Sequence, residues 1–453
     1  MSALRWISFF ALLTSVTSVA LETQSPAEYH ARRGALAAKL SGGFGLIFAA
    51  EEAQLDLDPY RQDEDFFYLT GWNQPGAALL IEAATATSPY REILFLPARS
   101  LRREKYTGIK VDAATPDASK LAGVDEVLSM TELPTELSRI STGDASHYLS
   151  AAAAHVFTAT DQTRAAAVLD FTAANLGSPL PAPSNIRTLT LQLRMVKSAA
   201  EIALLRKAGD ASMAAHLALF QAIKPNVNER SMSGLIDYKL KENGCERPSY
   251  ASIVGSGPNS TILHYSANSR TMLAGDLVVV DAAGEFSMYA SDITRTYPVS
   301  GHFTPRQREI YDIVLGAQNA AREAFVSGKS VLGTVLQRDI ANPDNLDRVA
   351  FAYINSHGKD LHGEPLGKYF VHGLGHSVGI GVHDPFDYTK PMGPGSVFTI
   401  EPGIYLPEEK LGVRIEDVFY VDMSGKLIDF QESLPHTADA VEAMMKSIPA
   451  ARK

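Results

Sequence analysis

His372-Gly373-Leu374-Gly375-His376, with His383-Asp384 shortly after it, is the stretch from which the rest of the chain can be read. Two aspartates precede it, in Val280-Asp281-Ala282 and Ser291-Asp292-Ile293-Thr294. Two glutamates follow, in Thr399-Ile400-Glu401-Pro402-Gly403 and Arg414-Ile415-Glu416-Asp417. An aspartate directly after Leu277-Val278-Val279-Val280 is expensive to bury unpaired. Clustered carboxylates raise one another's pKa, so four of them need compensating charge. Two divalent cations would supply it, and four carboxylates with one imidazole are enough to hold two ions. One nitrogen donor, otherwise oxygen and no thiolate, suits a hard ion such as Mn²⁺, with Co²⁺ and Zn²⁺ open as alternatives.

The flanking segments predict how these residues are carried. Leu277 to Asp281 reads as a buried strand, with Phe286 to Tyr297 returning as its hairpin partner. Asp281 and Asp292 would then face each other across two strands. Val397 to Ile400 and Val413 to Val418 read as a second pair, bringing Glu401 and Glu416 together. Ser198-Ala199-Ala200-Glu201 is a capping box opening a helix with Ile202, Leu205, Met213, Leu217 and Phe220 at helical spacings. A second helix is predicted from Pro305 to Ser327. Upstream, strands at Ala77 to Ile81 and Ile93 to Leu96 alternate with helical patterns, including Ala151 to Ala154 and Thr163 to Asp170, which predicts an α/β part. The three prolines between Leu176 and Asn185 mark a boundary.

At 453 residues the chain is long enough for two domains. A net charge of −10 argues against nucleic acid or anionic lipid as partner. The single cysteine, Cys245, excludes an internal disulfide and reads as a small buried residue. Arg5, the apolar run Trp6 to Leu13 and the small residues Ser18-Val19-Ala20 have the layout of a signal peptide. Residues 1–20 are therefore expected to be removed on export, to a periplasm or outside the cell, with no membrane span remaining.

The spaced set resembles the creatinase/aminopeptidase P/prolidase superfamily of pita-bread, M24-type metallopeptidases. The match runs from Leu193-Arg194-Met195-Val196-Lys197-Ser198 through Leu263-His264-Tyr265, the two aspartates, the histidine stretch and both glutamate segments, to about Met444. Tyr60-Arg61-Gln62-Asp63 and Phe66-Phe67-Tyr68-Leu69-Thr70-Gly71 resemble the family's non-catalytic domain. One departure is Gly381, which stands where many relatives carry an acidic residue before Val-His.

The resemblance implies an α/β (α+β) protein. A creatinase-like domain over residues 21–184 would precede a pita-bread catalytic domain over 185–453, its curved antiparallel sheet flanked by helices. It implies Asp281 and Asp292 on one metal, His376 and Glu401 on the other, with Asp292 reaching both ions and Glu416 bridging them. His264, His372 and His383 would orient substrate and handle protons or the developing oxyanion. Glu401 would also accept the nucleophile's proton, and Arg414 would orient a metal-binding carboxylate. A water shared by the ions would be the source of hydroxide for attack on a peptide carbonyl. The expected activity is removal of an N-terminal residue preceding proline. A prolidase that cleaves only Xaa-Pro dipeptides uses the same ligands, and an inactive binding homologue is a third reading. Proline-containing peptides would be the substrate, and a homo-oligomer, dimer or tetramer, the assembly.

Overall fold

Strands buried on both faces build the N-terminal sheet. Its strands Phe44–Phe48, Ala78–Glu82, Arg91–Leu96 and Glu126–Ser129 lie in that spatial order. The first three pair antiparallel and the last joins parallel. Successive side chains of a strand point to opposite faces, so both faces need cover. Leu46, Phe48, Leu80, Ile93 and Phe95 pack under helix Leu133–Thr142, through Leu133, Leu137 and Ile140. Ile47, Leu79, Ile81 and Leu94 pack against Leu36 of helix Pro26–Ala37 and Phe66, Phe67 and Leu69 of helix Glu64–Thr70. This second core also takes in Ile202, Leu204 and Leu205, together with Val378 and Ile380 from the histidine stretch. The N-terminal sheet and the segment carrying His376 and His383 therefore share one packed interior.

The structure, a computed structural model, describes residues 21–40, 43–52, 60–86, 89–142, 186–338 and 340–446. The expected signal segment, the helical patterns at 151–154 and 163–170 and the proline-rich boundary before residue 185 lie outside them. Among the described residues no helix is long and apolar enough to cross a membrane.

Helices Ala199–Ala222, Glu229–Glu242, Pro305–Ala324 and Leu346–Ser356 surround the C-terminal strands and share their core. The capping box at Ser198 forms as expected, with the Ser198 hydroxyl accepting from the Glu201 N–H and Glu201 accepting from the Ser198 N–H. Thr304 and Gln307 make a second capping box that starts Pro305–Ala324. Cys245 is buried beside Leu240 and Gly284, and burial pushes its thiol up to about 12.

The hairpin expected around the aspartates differs from the sequence reading. Leu277–Asp281 pairs with Thr294–Pro298, with Asp281 opposite Thr294. A separate small hairpin of Gly284–Phe286 and Tyr289–Ala290 is inserted between these strands, so Asp292 lies just ahead of the returning strand and is not Asp281's ladder partner. Left-handed Ser287 and Met288 at the tip of the insert turn the chain early. The second expected pair is two short ladders in one register: Val397–Ile400 with Asp417–Val421, and Gly403–Leu406 with Leu411–Arg414. A bridge between Thr294 and Glu416 joins the two sheet systems.

Candidate active site

Glu401 and Glu416 stand opposite each other in the gap between those two ladders. Ile400 pairs with Asp417 and Gly403 with Arg414, so the unpaired residues between them continue the same register. Pro402, which has no N–H to give, lies in that gap. The segment carrying His376 docks on the adjoining strand end. The Glu401 N–H donates to the Leu374 carbonyl at 2.8 Å, and the Thr399 N–H to the His376 carbonyl at 2.8 Å. Gly375 permits this approach, because a Cβ there would lie 2.1 Å from the Thr399 carbonyl oxygen.

The side chains converge. The Tyr250 hydroxyl lies 2.6 Å from Asp281 Oδ1 and 2.5 Å from Asp292 Oδ1, and its one proton serves one carboxylate at a time. His376 Nε2 lies 3.3 Å from both Asp292 Oδ2 and Glu401 Oε1. His376 Nδ1 faces the Ser377 carbonyl at 3.2 Å. A carbonyl only accepts, so Nδ1 carries a proton, and in the neutral ring Nε2 turns a lone pair toward two carboxylates. Ligand atoms of Asp292, His376 and Glu416 fall within 4.8 Å of one another. Thr294 donates to Glu416 Oε2 at 2.6 Å, whereas the buried Glu416 Oε1 has no hydrogen-bond partner among the described residues. Arg414 donates to Asp281 Oδ2 at 2.6 Å and to the Tyr405 hydroxyl at 2.8 Å.

This electrostatic arrangement asks for positive charge. Burial pushes the Glu401 carboxyl up to about 7, with Asp292 and Asp281 adding to it. Burial, then Asp292, Glu401 and Asp281, drives Glu416 well above the usual carboxylate range. Burial opposes charge on His376, but Asp292 and Glu401 outweigh it and raise the ring to about 9. An imidazole nitrogen set between two carboxylates, an orphaned carboxylate oxygen and a donor set rich in oxygen fit divalent cations. Asp281, Asp292, His376, Glu401 and Glu416 are the residues that would hold them.

All five line one cavity of about 830 Å³, together with His264, His372, His383 and Arg414. The structure thus brings every candidate site residue to the same place. The histidines differ in what holds them. His372 Nδ1 donates to the Gly373 carbonyl and Nε2 accepts from the Tyr405 hydroxyl, each at 2.8 Å. Burial and nearby Arg414 push its pKa down to about 3, so it is neutral with both nitrogens engaged. His264 and His383 line the cavity as exposed rings. Tyr250, Tyr405 and Thr294 complete the constellation; the two tyrosines belong to none of the motifs, and Thr294 stands in the Asp292 string without a signal of its role.

Two family models match the chain: Metallopeptidase family M24 over residues 203–423 and Aminopeptidase P, N-terminal domain, over residues 29–148. The Xaa-Pro aminopeptidase of Escherichia coli K12 is 34% identical over 442 residues, covering 92% of this chain and 97% of that protein. This chain belongs to metallopeptidase family M24. The Haemophilus influenzae Xaa-Pro aminopeptidase is 32% identical, with 92% of this chain and 97% of that protein covered. Among solved structures, proline aminopeptidase P II from Yersinia pestis superposes with a TM-score of 0.78 at 33% identity, covering 93% of this chain and 99% of that one. Zn-substituted E. coli aminopeptidase P in complex with product superposes with a TM-score of 0.80 at 31% identity, covering 95% and 100%. The expected architecture, a pita-bread catalytic part preceded by a smaller α/β part, holds across these M24 neighbours.

Proposed function

We propose that this M24 metallopeptidase is an Xaa-Pro aminopeptidase, hydrolysing the bond between an N-terminal residue and a following proline with two divalent ions, Mn²⁺ the best match. The observation that carries this is the convergence of Asp281, Asp292, His376, Glu401 and Glu416 with His264 and His383 on one cavity. Near full-length similarity to proteins named Xaa-Pro aminopeptidase supports the substrate class. When bound, two such ions polarise a shared water and the scissile carbonyl and lower the water's pKa toward neutrality.

The chain's own residues supply the remaining work. Glu401, set in the cavity beside His376 Nε2, is the carboxylate placed to take up a proton from the nucleophile and pass it on. Arg414 holds Asp281, and the Ser377 carbonyl fixes the tautomer of His376. His372, locked between Gly373 and Tyr405, is a brace, so proton donation and oxyanion contacts fall to His264 and His383. The layout of residues 1–20 supports export, and the family resemblance supports a homo-oligomer. N-terminal sequencing of the mature protein and sedimentation test these two points.

The deciding experiment supplies purified protein and Mn²⁺ with Xaa-Pro-Yaa and with Xaa-Pro. Release of the first residue from the tripeptide is the expected result. Turnover of the dipeptide alone would replace this reading with a prolidase, and no turnover of either would leave the inactive binding homologue.

A further inference from the structure

The turn from Gly379 to Asp384 is wrapped around a single carboxylate. Asp384 Oδ1 accepts from the Gly381 N–H at 3.1 Å and from Arg194 Nη2 at 2.5 Å, while Oδ2 accepts from Lys197 Nζ at 3.0 Å. The fit is close, since a Cβ on Gly379 would lie 2.5 Å from that carboxylate. The side chains of Arg194, Lys197 and Asp384 are 3%, 1% and 1% exposed. From the N-terminal part, Asp65 and Glu64 each accept from Arg194 at 2.8 Å, and Arg61 Nη2 donates to the Ile380 carbonyl at 2.9 Å. Gly381 takes on meaning here. The Glu64 carboxylate lies 2.9 Å from where a Cβ on Gly381 would be, so a side chain from another part of the chain fills that position.

His383 leaves this turn with little else to hold it. Among the described residues no hydrogen bond reaches its ring, which meets His376 edge to face at a centroid distance of 4.2 Å. The place from which the ring projects is therefore fixed by the backbone of the turn, and its packing on His376 is its one ring contact among the described residues. Arg61, Arg194, Lys197 and Asp384 are all absent from the cavity lining, so any effect they have on turnover must pass through another residue.

We propose that Asp384, Arg194 and Arg61 are positioning residues for His383: a charge cluster shared by both parts of the chain clamps the 379–384 turn and aims the histidine into the cavity. This rests on the peptidase reading above. It makes the N-terminal part a working component of the site as well as a wall around it. The chief competing role for the cluster is a structural staple with no link to His383.

A double-mutant cycle separates the two. Asp384→Asn keeps the shape and removes the charge. Arg61→Ala, at a half-buried position, removes the grip on Ile380 and keeps the test available should Asp384→Asn fail to fold. Each is made alone and with His383→Ala, and kcat, KM, Mn²⁺ content and melting temperature are measured with Xaa-Pro-Yaa. Asp384→Asn is expected to lower kcat by about 10- to 100-fold, the range for groups that orient others, with KM and metal content near wild type. Arg61→Ala is expected to lower kcat less, in the same pattern. In the His383→Ala background neither should cost more than about 2-fold, because the positioned group is gone. Equal losses in both backgrounds, or an unchanged kcat, would overturn the proposal while leaving the peptidase reading intact. An inactive wild-type protein would overturn both.

Discussion

Tyr250 belongs to no recognisable motif, yet its hydroxyl lies between Asp281 and Asp292. The ligand candidates themselves could be listed from the sequence because each acid or histidine sits in a distinctive local string. Their braces, Tyr250, Tyr405 and Thr294, become visible only when distant segments meet. Asp292 links the two sides of the site, reaching both Tyr250 and His376. Asp292→Ala is expected to lower kcat/KM by at least about 100-fold and to weaken Mn²⁺ binding, read by activity assay and metal titration. Retained turnover would refute its place in the site. His216 offers a test at a residue that is not itself a ligand. Its Nε2–H donates to the Ala282 carbonyl and its Nδ1 accepts from the Tyr297 hydroxyl, and burial pushes its pKa down to about 4. The unfolded ring takes up a proton near pH 6.5 while the folded one stays neutral. Its contribution to stability is complete above that pH and is lost as pH falls toward 4, in all about 3 kcal/mol. Urea denaturation across this window should show a shallower decline for His216→Gln than for the wild type. Parallel curves would contradict the assignment.

At the scale of elements, periodicity and caps were the legible part. The Ser198 box, the start at Pro305 and the strands near residues 78 and 93 follow from local chemistry. The hairpin around Asp281 was not legible, because the insert at 284–290 is itself strand-like and sequence spacing cannot distinguish one long return strand from two short ones. The glutamate pair was easier, since one register spans both of its ladders. Gly375 shows how closely these elements approach. Gly375→Ala would push the His376 segment off the Thr399 carbonyl, with an expected loss of about 1–3 kcal/mol and weaker metal binding. Denaturant melts and a Mn²⁺ titration check this, and wild-type values in both would mean the strand end can yield without cost.

Across the whole molecule, one apolar core runs from the N-terminal sheet to Val378 and Ile380 beside the cavity. The sequence pointed to two parts and a boundary between them. It gave no sign that the first part packs directly on the histidine turn, because that contact depends on tertiary docking of Phe66, Phe67 and Leu69. The same docking brings Arg61 to the Ile380 carbonyl and Glu64 to Gly381. The central claim is that five scattered side chains enclose a pair of divalent ions. Anomalous diffraction at the manganese edge from crystals grown with Mn²⁺ tests it most directly. The account predicts two peaks, both within coordination distance of Glu416 and of Asp292, one also reached by Asp281 and the other by His376 and Glu401. Peaks elsewhere, or none under saturating Mn²⁺, would contradict it.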